Sequence, residues 1–457
     1  MDTAMDTDPS PTSKVQVQFV TRHPDIAVPA APILVPSNLK RYGLSQIINH
    51  LLDTSTPVPF DFLASGSFLR TSLDAYLTQH GLSAESVITL EYVRAVVPPK
   101  FRAAFQHDDW VSSVHTLSPT TSSSLSSPLI LSGSYDGIAR IWNLSGQVLS
   151  EAPGHSAPIK AAKWTHNGAG LVTAGMDRTL RLWSYDPSAD GADAITPLAE
   201  LLGHKSTVEH LAVDPRSTHI LSASSDSTVG VWSTTPTSLP PAPAAALPPK
   251  PTKKRKTAPS AVPRYGALAL LSGHTGPVAA VEFDGKDATV AYSVGWDHTI
   301  RTWDLATHRL VDTRTTQHPI ASVCVLPGLS LLAAGSTARH ITLHDPRASA
   351  SEVAASTLRG HTNCVAALCA GGESEWMMAS AGHDGTVRVW DVRAAGSGSV
   401  FVIRREGEGV SGREKVFAVE WSEVGIVSGG EDKRVQINET PRGGDEKGVE
   451  ESVESRL

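Results

Sequence analysis

Serine or threonine, histidine and aspartate held at fixed spacing are the side chains of nucleophilic hydrolysis, and this 457-residue chain carries them in sets. His155 is followed by Thr173, Asp177 and Trp183; His204 by Ser222, Asp226 and Trp232; His274 by Ser293, Asp297 and Trp303; His361 by Ser380, Asp384 and Trp390. In each set the Asp follows the His by 22 or 23 positions, the hydroxyl stands four before the Asp, and the Trp comes six after it. A catalytic triad is one constellation in one cleft. Here the constellation recurs along the chain, which argues against a single active site. Its members can be joined into one hydrogen-bonded chain from indole through hydroxyl and imidazole to carboxylate. Such a buried network is stable when every member has a partner. The sets read as structural clamps, and no catalytic residue is assigned.

The elements that position them are written just as regularly. Each Asp opens a stretch of alternating apolar residues ending in Trp, and copies begin near residues 136, 177, 226, 297, 338, 384 and 432. A unit of roughly 40 to 45 residues with Gly-His ahead and a Trp-Asp-like end is the signature of a WD40 blade. The fold expected is mainly β: a seven-bladed WD40 propeller preceded by a small α+β domain. His107 stands four residues before Val111, as His155 stands four before Ile159, so it takes the Gly-His place in blade 1. Copy 5 keeps His318 but has Ala334 and Ala338, with His344 at the Trp position; copy 7 has no Gly-His and ends in Asn438. These two blades are expected to be held mainly by their neighbours and by apolar packing. Phe101–Phe105 (FRAAF) stands where an outermost strand ends other blades, and is expected to pair with the last blade and close the ring.

Composition excludes several classes. Forty per cent apolar and nineteen per cent charged residues with a net charge of −7 describe a globular chain without a global nucleic-acid-binding charge. Cys324, Cys364 and Cys369 lack metal-ligand spacing and are too few for a disulfide scaffold, which implies a reducing compartment. The polar, acidic start is not a signal peptide, and no apolar run is long enough to span a bilayer, so no membrane association is expected. No phosphate-cradling loop and no metal-binding His pair is present. The chain reads as a soluble, non-enzymatic intracellular protein without cofactor or small-molecule substrate.

Five segments follow: a disordered start (1–13), a small domain (14–97), the propeller (98–438) with a Pro-rich basic insert (233–266), and an acidic tail (439–457). In the small domain Lys14–Val20 alternates like a half-buried strand, and an extended piece follows near Ala30–Val35. Leu44, Ile47, Ile48 and Leu51 mark one helix face. Strands near Phe60–Leu63 and Phe68–Leu69, a short helical turn, and a strand at Val87–Val93 complete the order of a ubiquitin-like grasp. Ser118–Pro128 is expected to be a mobile loop in blade 1. Within the insert, Lys253, Lys254, Arg255 and Lys256 form a basic run that suits nuclear import or an RNA-backbone contact.

The strings LKRYGLSQIINHLL, PVPFDFL, LRTSLDAYL, HGLSAE and LEYVRAVVPP, placed before seven blades and combined with ARHITLHDPR in copy 5, resemble the Ytm family of ribosome-assembly WD-repeat proteins, also called WD-repeat protein twelve. The small domain is similar to the Notchless type. The resemblance implies a nuclear and nucleolar assembly factor for the large (60S) ribosomal subunit, needed for pre-rRNA processing. It implies that the propeller docks on the block-of-proliferation WD-repeat protein, which carries Pescadillo, and that the ubiquitin-like domain is gripped by the AAA ATPase midasin for release from pre-60S particles. It places on Glu85, in GLSAE, the carboxylate that completes midasin's metal site, so the only ion implied is a Mg²⁺ at that interface. Glu91, the nearest rival, lies in the last strand. The competing reading is a substrate receptor or adaptor of the ubiquitin pathway, which predicts co-purification with ligase or proteasome subunits.

Overall fold

The computed structural model describes residues 13–440, apart from 55, 84, 120–126, 166–167, 190, 217, 245–261, 349–355, 373 and 406–412. The basic run 253–256, the tail beyond 440 and most of the Ser-rich loop of blade 1 lie outside these residues. Two compact units divide the chain, Met1–Val97 with Arg393–Gly398, and Pro98–Val392 with Ser399–Leu457.

In the first unit β1 (Lys14–Val20) buries Val15, Val17 and Phe19 and exposes the residues between them or leaves them half-buried. It is followed by β2 (Ile33–Pro36), α1 (Arg41–Leu52), β3 (Phe60–Ala64), β4 (Ser67–Phe68), α2 (Leu73–His80) and β5 (Ile88–Arg94). The sheet order is β2-β1-β5-β3-β4, with β1 parallel to β5 and the other pairs antiparallel. This is the ubiquitin-like grasp. Leu44 and Ile48 of α1 are wholly buried against the sheet core, but Leu51 is 38% exposed and Leu52 packs instead. The expected face is turned because Ser45 and Asn49 bind the chain that follows. Ser45 Oγ accepts from Phe60 N–H at 3.1 Å, and Asn49 Oδ1 accepts from Val58 N–H at 2.8 Å.

The second unit is seven sheets of four strands, with a fifth added in one of them; the strands run in sequence order from the inside out except in the last sheet, whose outermost strand comes from the start of the unit. The innermost strands are Val111–Leu117, Ile159–Thr165, Val208–Val213, Val278–Phe283, Ile320–Leu326, Val365–Ala370 and Val416–Ser422, and each touches the next around a closed ring. The outermost strand of blade 7 is β6 (Lys100–Gln106), antiparallel to Arg434–Glu439. Inside the ring the seam is fastened again: the Glu420 carboxylate accepts from Thr116 N–H at 2.8 Å and from its hydroxyl at 3.2 Å. Similar stitches join blades 1 and 2, where Ser113 Oγ accepts from Ala162 N–H at 2.9 Å and His115 Nδ1 from Trp164 N–H at 3.1 Å.

The insert is partly built into the fold. Leu239 is buried, and Arg264–Tyr265 runs parallel to Ile195–Leu201, adding a fifth strand to blade 2. Arg264 Nε reaches Glu200 at 2.8 Å, and Gly266 N–H bonds Pro240 O at 2.8 Å, so both ends of the insert meet. The sequence treats 233–266 as a single low-complexity stretch because its prolines mask the two apolar anchors, Leu239 and Tyr265.

Candidate functional site

Each of the four full sets converges as one clamp. The histidine Nδ1 meets the aspartate Oδ2 at 2.9 Å for His155–Asp177, 3.0 Å for His204–Asp226, 2.8 Å for His274–Asp297 and 2.9 Å for His361–Asp384. Nε2 lies 2.8, 2.7, 2.7 and 2.6 Å from Thr173, Ser222, Ser293 and Ser380 in turn. Those hydroxyls accept from the indole N–H of Trp183, Trp232, Trp303 and Trp390 at 2.9, 2.8, 2.8 and 2.7 Å. Because Nδ1–H donates to the carboxylate, Nε2 receives the hydroxyl hydrogen, and every polar atom of the chain is used. The four hydroxyls are fully buried and each also accepts an indole N–H, so the chain of bonds works as an internal clamp.

The aspartates also shape the turns. Oδ1 accepts the backbone N–H two residues on, as at Thr179, Thr228 and Thr386, and the residue after the aspartate is left-handed in every blade that has one, including the non-glycines Arg178 (φ 69°) and Ser227 (φ 68°). Burial alone raises Asp177, but hydrogen bonds and charge from His155, with Thr179, hold it down at about 2.

Blade 1 runs the clamp in reverse. His107 Nε2 is 3.0 Å from Ser132 Oγ, which also accepts from Trp142, but its Nδ1 faces Arg140 Nη1 at 3.3 Å. Since arginine only donates, Nδ1 is the acceptor and Nε2 carries the hydrogen. Burial and Arg140 lower His107 to about 4. Arg140 itself is shared by Asp136, Asp108 and Glu151.

Blade 7 corrects the expectation that apolar packing holds it. Arg405 occupies the missing histidine's place, with its Nε and Nη2 on Asp432 at 2.9 and 2.7 Å and its Nη1 on Ser428 Oγ at 2.7 Å. Asn438, at the Trp position, accepts from Gln436 at 2.8 Å. The spacing hides this clamp, because Arg405 lies 27 residues before Asp432 rather than 22 or 23. Blade 5 alone lacks both the turn aspartate and the indole; there His344 bonds Thr342 Oγ1 at 2.9 Å.

Glu85 stands apart from all of these. It is exposed, in the turn between α2 and β5, flanked by Leu82 (46% exposed) and Val87 (45% exposed). Ser83 Oγ accepts its backbone N–H at 3.2 Å, and the Ser86 hydroxyl donates to Ser83 O at 2.6 Å, so Ser83 is bonded to both Glu85 and Ser86. Its carboxylate makes no hydrogen bond or ion pair among the described residues. Glu91 is engaged by Arg22 at 3.0 Å and is largely covered. Among the described residues no group of three His, Cys, Asp or Glu is arranged to hold a metal ion. A single exposed carboxylate fits the role of one oxygen ligand to an ion held by another protein.

The propeller also encloses a central channel of about 910 Å³. Lys163, Glu282, Glu420, His210, Cys324 and Cys369 face it. Sequence patterning reads them only as inner-strand positions.

Comparison with known proteins follows the same division. Residues 15–77 match the NLE (NUC135) domain, and residues 100–143, 146–184, 195–233, 267–304 and 353–391 match the WD domain, G-beta repeat. The three inner strands of blades 5 and 7, whose clamps have changed, fall outside these matches. Ribosome biogenesis protein ytm1 of Neosartorya fischeri is 50% identical, over 93% of this chain and 95% of its own length. The chain belongs to the ytm1 family of ribosome biogenesis proteins. Members from Aspergillus terreus (50% identical, covering 93% of this chain and 96% of their own) and Emericella nidulans (49%, with 93% and 95%) match to the same extent. The two-part architecture is thus that of the family's whole length.

Proposed function

We propose that the chain is a non-catalytic assembly factor of the large (60S) ribosomal subunit, acting in the nucleolus and nucleoplasm and serving pre-rRNA processing. The propeller docks on the block-of-proliferation WD-repeat protein and, through it, Pescadillo. The ubiquitin-like domain is gripped by midasin, whose ATP-driven pulling removes the complex from pre-60S particles. The observation that supports this reading is Glu85, an exposed carboxylate with no hydrogen bond or ion pair among the described residues, available as an oxygen ligand to a Mg²⁺ that midasin holds. When bound, that ion supplies a metal-mediated link. This chain's contribution is to present the carboxylate on the turn between α2 and β5.

The test is a pull-down of midasin in Mg²⁺ and in EDTA, with Glu85→Ala and Glu85→Asp. Loss of midasin in EDTA and in both variants, with the propeller partner retained, is the expected result. Undiminished midasin capture by both variants removes Glu85 from the role. Gradient sedimentation with pre-60S particles, rather than with ligase or proteasome subunits, separates the ribosomal reading from the ubiquitin-pathway one. For Lys253, Lys254, Arg255 and Lys256 we propose nuclear import: replacing all four by Ala is expected to shift the protein to the cytoplasm, whereas a loss of salt-sensitive RNA affinity without that shift assigns the run to RNA.

A further inference from the structure

Tyr135, Phe417 and His383 line the channel mouth, and Trp110 packs against the first two. Trp110 and Tyr135 have centroids 5.4 Å apart, Trp110 and Phe417 5.9 Å, Tyr135 and Phe417 6.3 Å, and His383 closes on Phe417 at 5.7 Å. All four are partly exposed. The rings already receive one cation: Lys160 holds its ammonium 5.6 Å from the Tyr135 centroid, bonds the phenol at 3.3 Å and pairs with Glu209 at 3.3 Å. Trp296, 56% exposed, lines the same opening.

Three residues further along the inner strands, roughly 10 Å deeper, lie Glu282 and Glu420. Lys163, His210, Cys324 and Cys369 face the same space, and His115 stands 3.6 Å from Glu420. Burial lowers both imidazoles and raises both thiols, so all four are neutral near pH 7. One ammonium, Lys163, therefore answers two carboxylates. Burial pushes Glu282 and Glu420 up to about 7, the Lys163 charge opposing it only in part. Glu420 has its Thr116 bonds, while Glu282 accepts no hydrogen bond among the described residues.

We propose that the channel mouth docks an arginine side chain of a partner protein, its guanidinium stacked among Trp110, Tyr135 and Phe417 and directed toward the channel carboxylates. Aromatic faces attract cations, and a planar guanidinium stacks on them where an ammonium does not. Above pH 7, where Glu282 and Glu420 are both ionised, they outnumber Lys163 below the rings and disfavour a phosphate-bearing ligand. This site is independent of the Glu85 reading, because it lies wholly in the propeller.

The test titrates the full chain at pH 8 with N-acetyl-arginine methylamide, following the indole N–H signals of Trp110 and Trp296 by NMR. Saturable shifts are expected, at least tenfold weaker with the citrulline analogue, weaker with the lysine analogue, and at least threefold weaker at pH 6, where the channel carboxylates are protonated. Glu282→Gln and Phe417→Leu are each expected to weaken binding at least threefold. The glutamine keeps the size and shape of the glutamate without its charge, and the leucine keeps the apolar volume, so both variants retain the fold. Equal binding of citrulline, absence of saturable shifts, or an unchanged constant in either variant overturns the proposal. A ten-nucleotide single-stranded RNA that moves the same signals in preference to arginine also overturns it.

Discussion

Arg405 grips Asp432 with two parallel hydrogen bonds in a site where the side chains are only 2% and 3% exposed, and so rebuilds with a guanidinium the clamp that other blades make with an imidazole. A bidentate arginine-carboxylate pair is stronger and more directional than its histidine counterpart. Removing one member leaves the other charged and buried.

Arg405→Ala is therefore expected to destabilise the propeller by about 3–5 kcal/mol. Arg405→Lys, which keeps the charge but loses the fork, is expected to fall between. Urea denaturation reads the loss, and amide exchange in Gly425–Gly430 and Arg434–Glu439 locates it in blade 7. An unchanged midpoint in Arg405→Ala shows that apolar packing suffices there.

Glu85→Ala is expected to leave the unfolding free energy within about 0.5 kcal/mol of the parent, since the side chain replaced is exposed and unbonded among the described residues. A marked loss of stability gives Glu85 a structural role and removes the basis for reading its pull-down result.

Acid stability carries two opposed contributions. Burial, aided by Arg140, Lys163 and Arg314 in turn, lowers His107, His210 and His344 to about 4. Their contribution is present above the unfolded value near 6.5 and is lost as pH falls toward 4. Glu282 and Glu420, raised to about 7, act the other way: their contribution is full below about 4.5 and is lost as pH rises through 7. The double variant Glu282→Gln, Glu420→Gln is expected to lose urea resistance more steeply than the parent between pH 7 and pH 5. Parallel pH profiles of the two proteins contradict this assignment.

Arg178 and Ser227 hold left-handed backbone that suits glycine. Arg178→Gly and Ser227→Gly are each expected to raise stability by up to about 1 kcal/mol, the relieved strain exceeding the added chain entropy. A lower melting temperature in both variants shows that contacts of these side chains outweigh the backbone term.

The repeat made the blades and four clamps legible because hydrogen-bonded sets need their members at set distances along the chain: Ser293, Asp297 and Trp303 keep the offsets of the other three sets, with His274 ahead of them. The same rule missed Arg405, which lies 27 residues before its aspartate rather than 22 or 23, and Arg140, whose partners Asp108 and Glu151 come from outside the repeat. Leu51 was misplaced because helix periodicity counts apolar residues, whereas Ser45 and Asn49 turn α1 with hydrogen bonds. The aromatic mouth was invisible, since Trp110, Tyr135 and Phe417 lie up to about three hundred residues apart in the chain and meet only when the ring closes.

The ring is closed by a strand that is synthesised first and used last. β6 leaves the ribosome before any blade, yet its partner Arg434–Glu439 comes some 330 residues later, as the Arg434–Gln106 contact marks. Until then the nascent chain carries an open, unpaired sheet edge, the kind of surface that recruits stray strands. A protein so wired completes its tertiary structure only after translation of blade 7, and nonsense truncation anywhere before residue 434 leaves a latch without a catch.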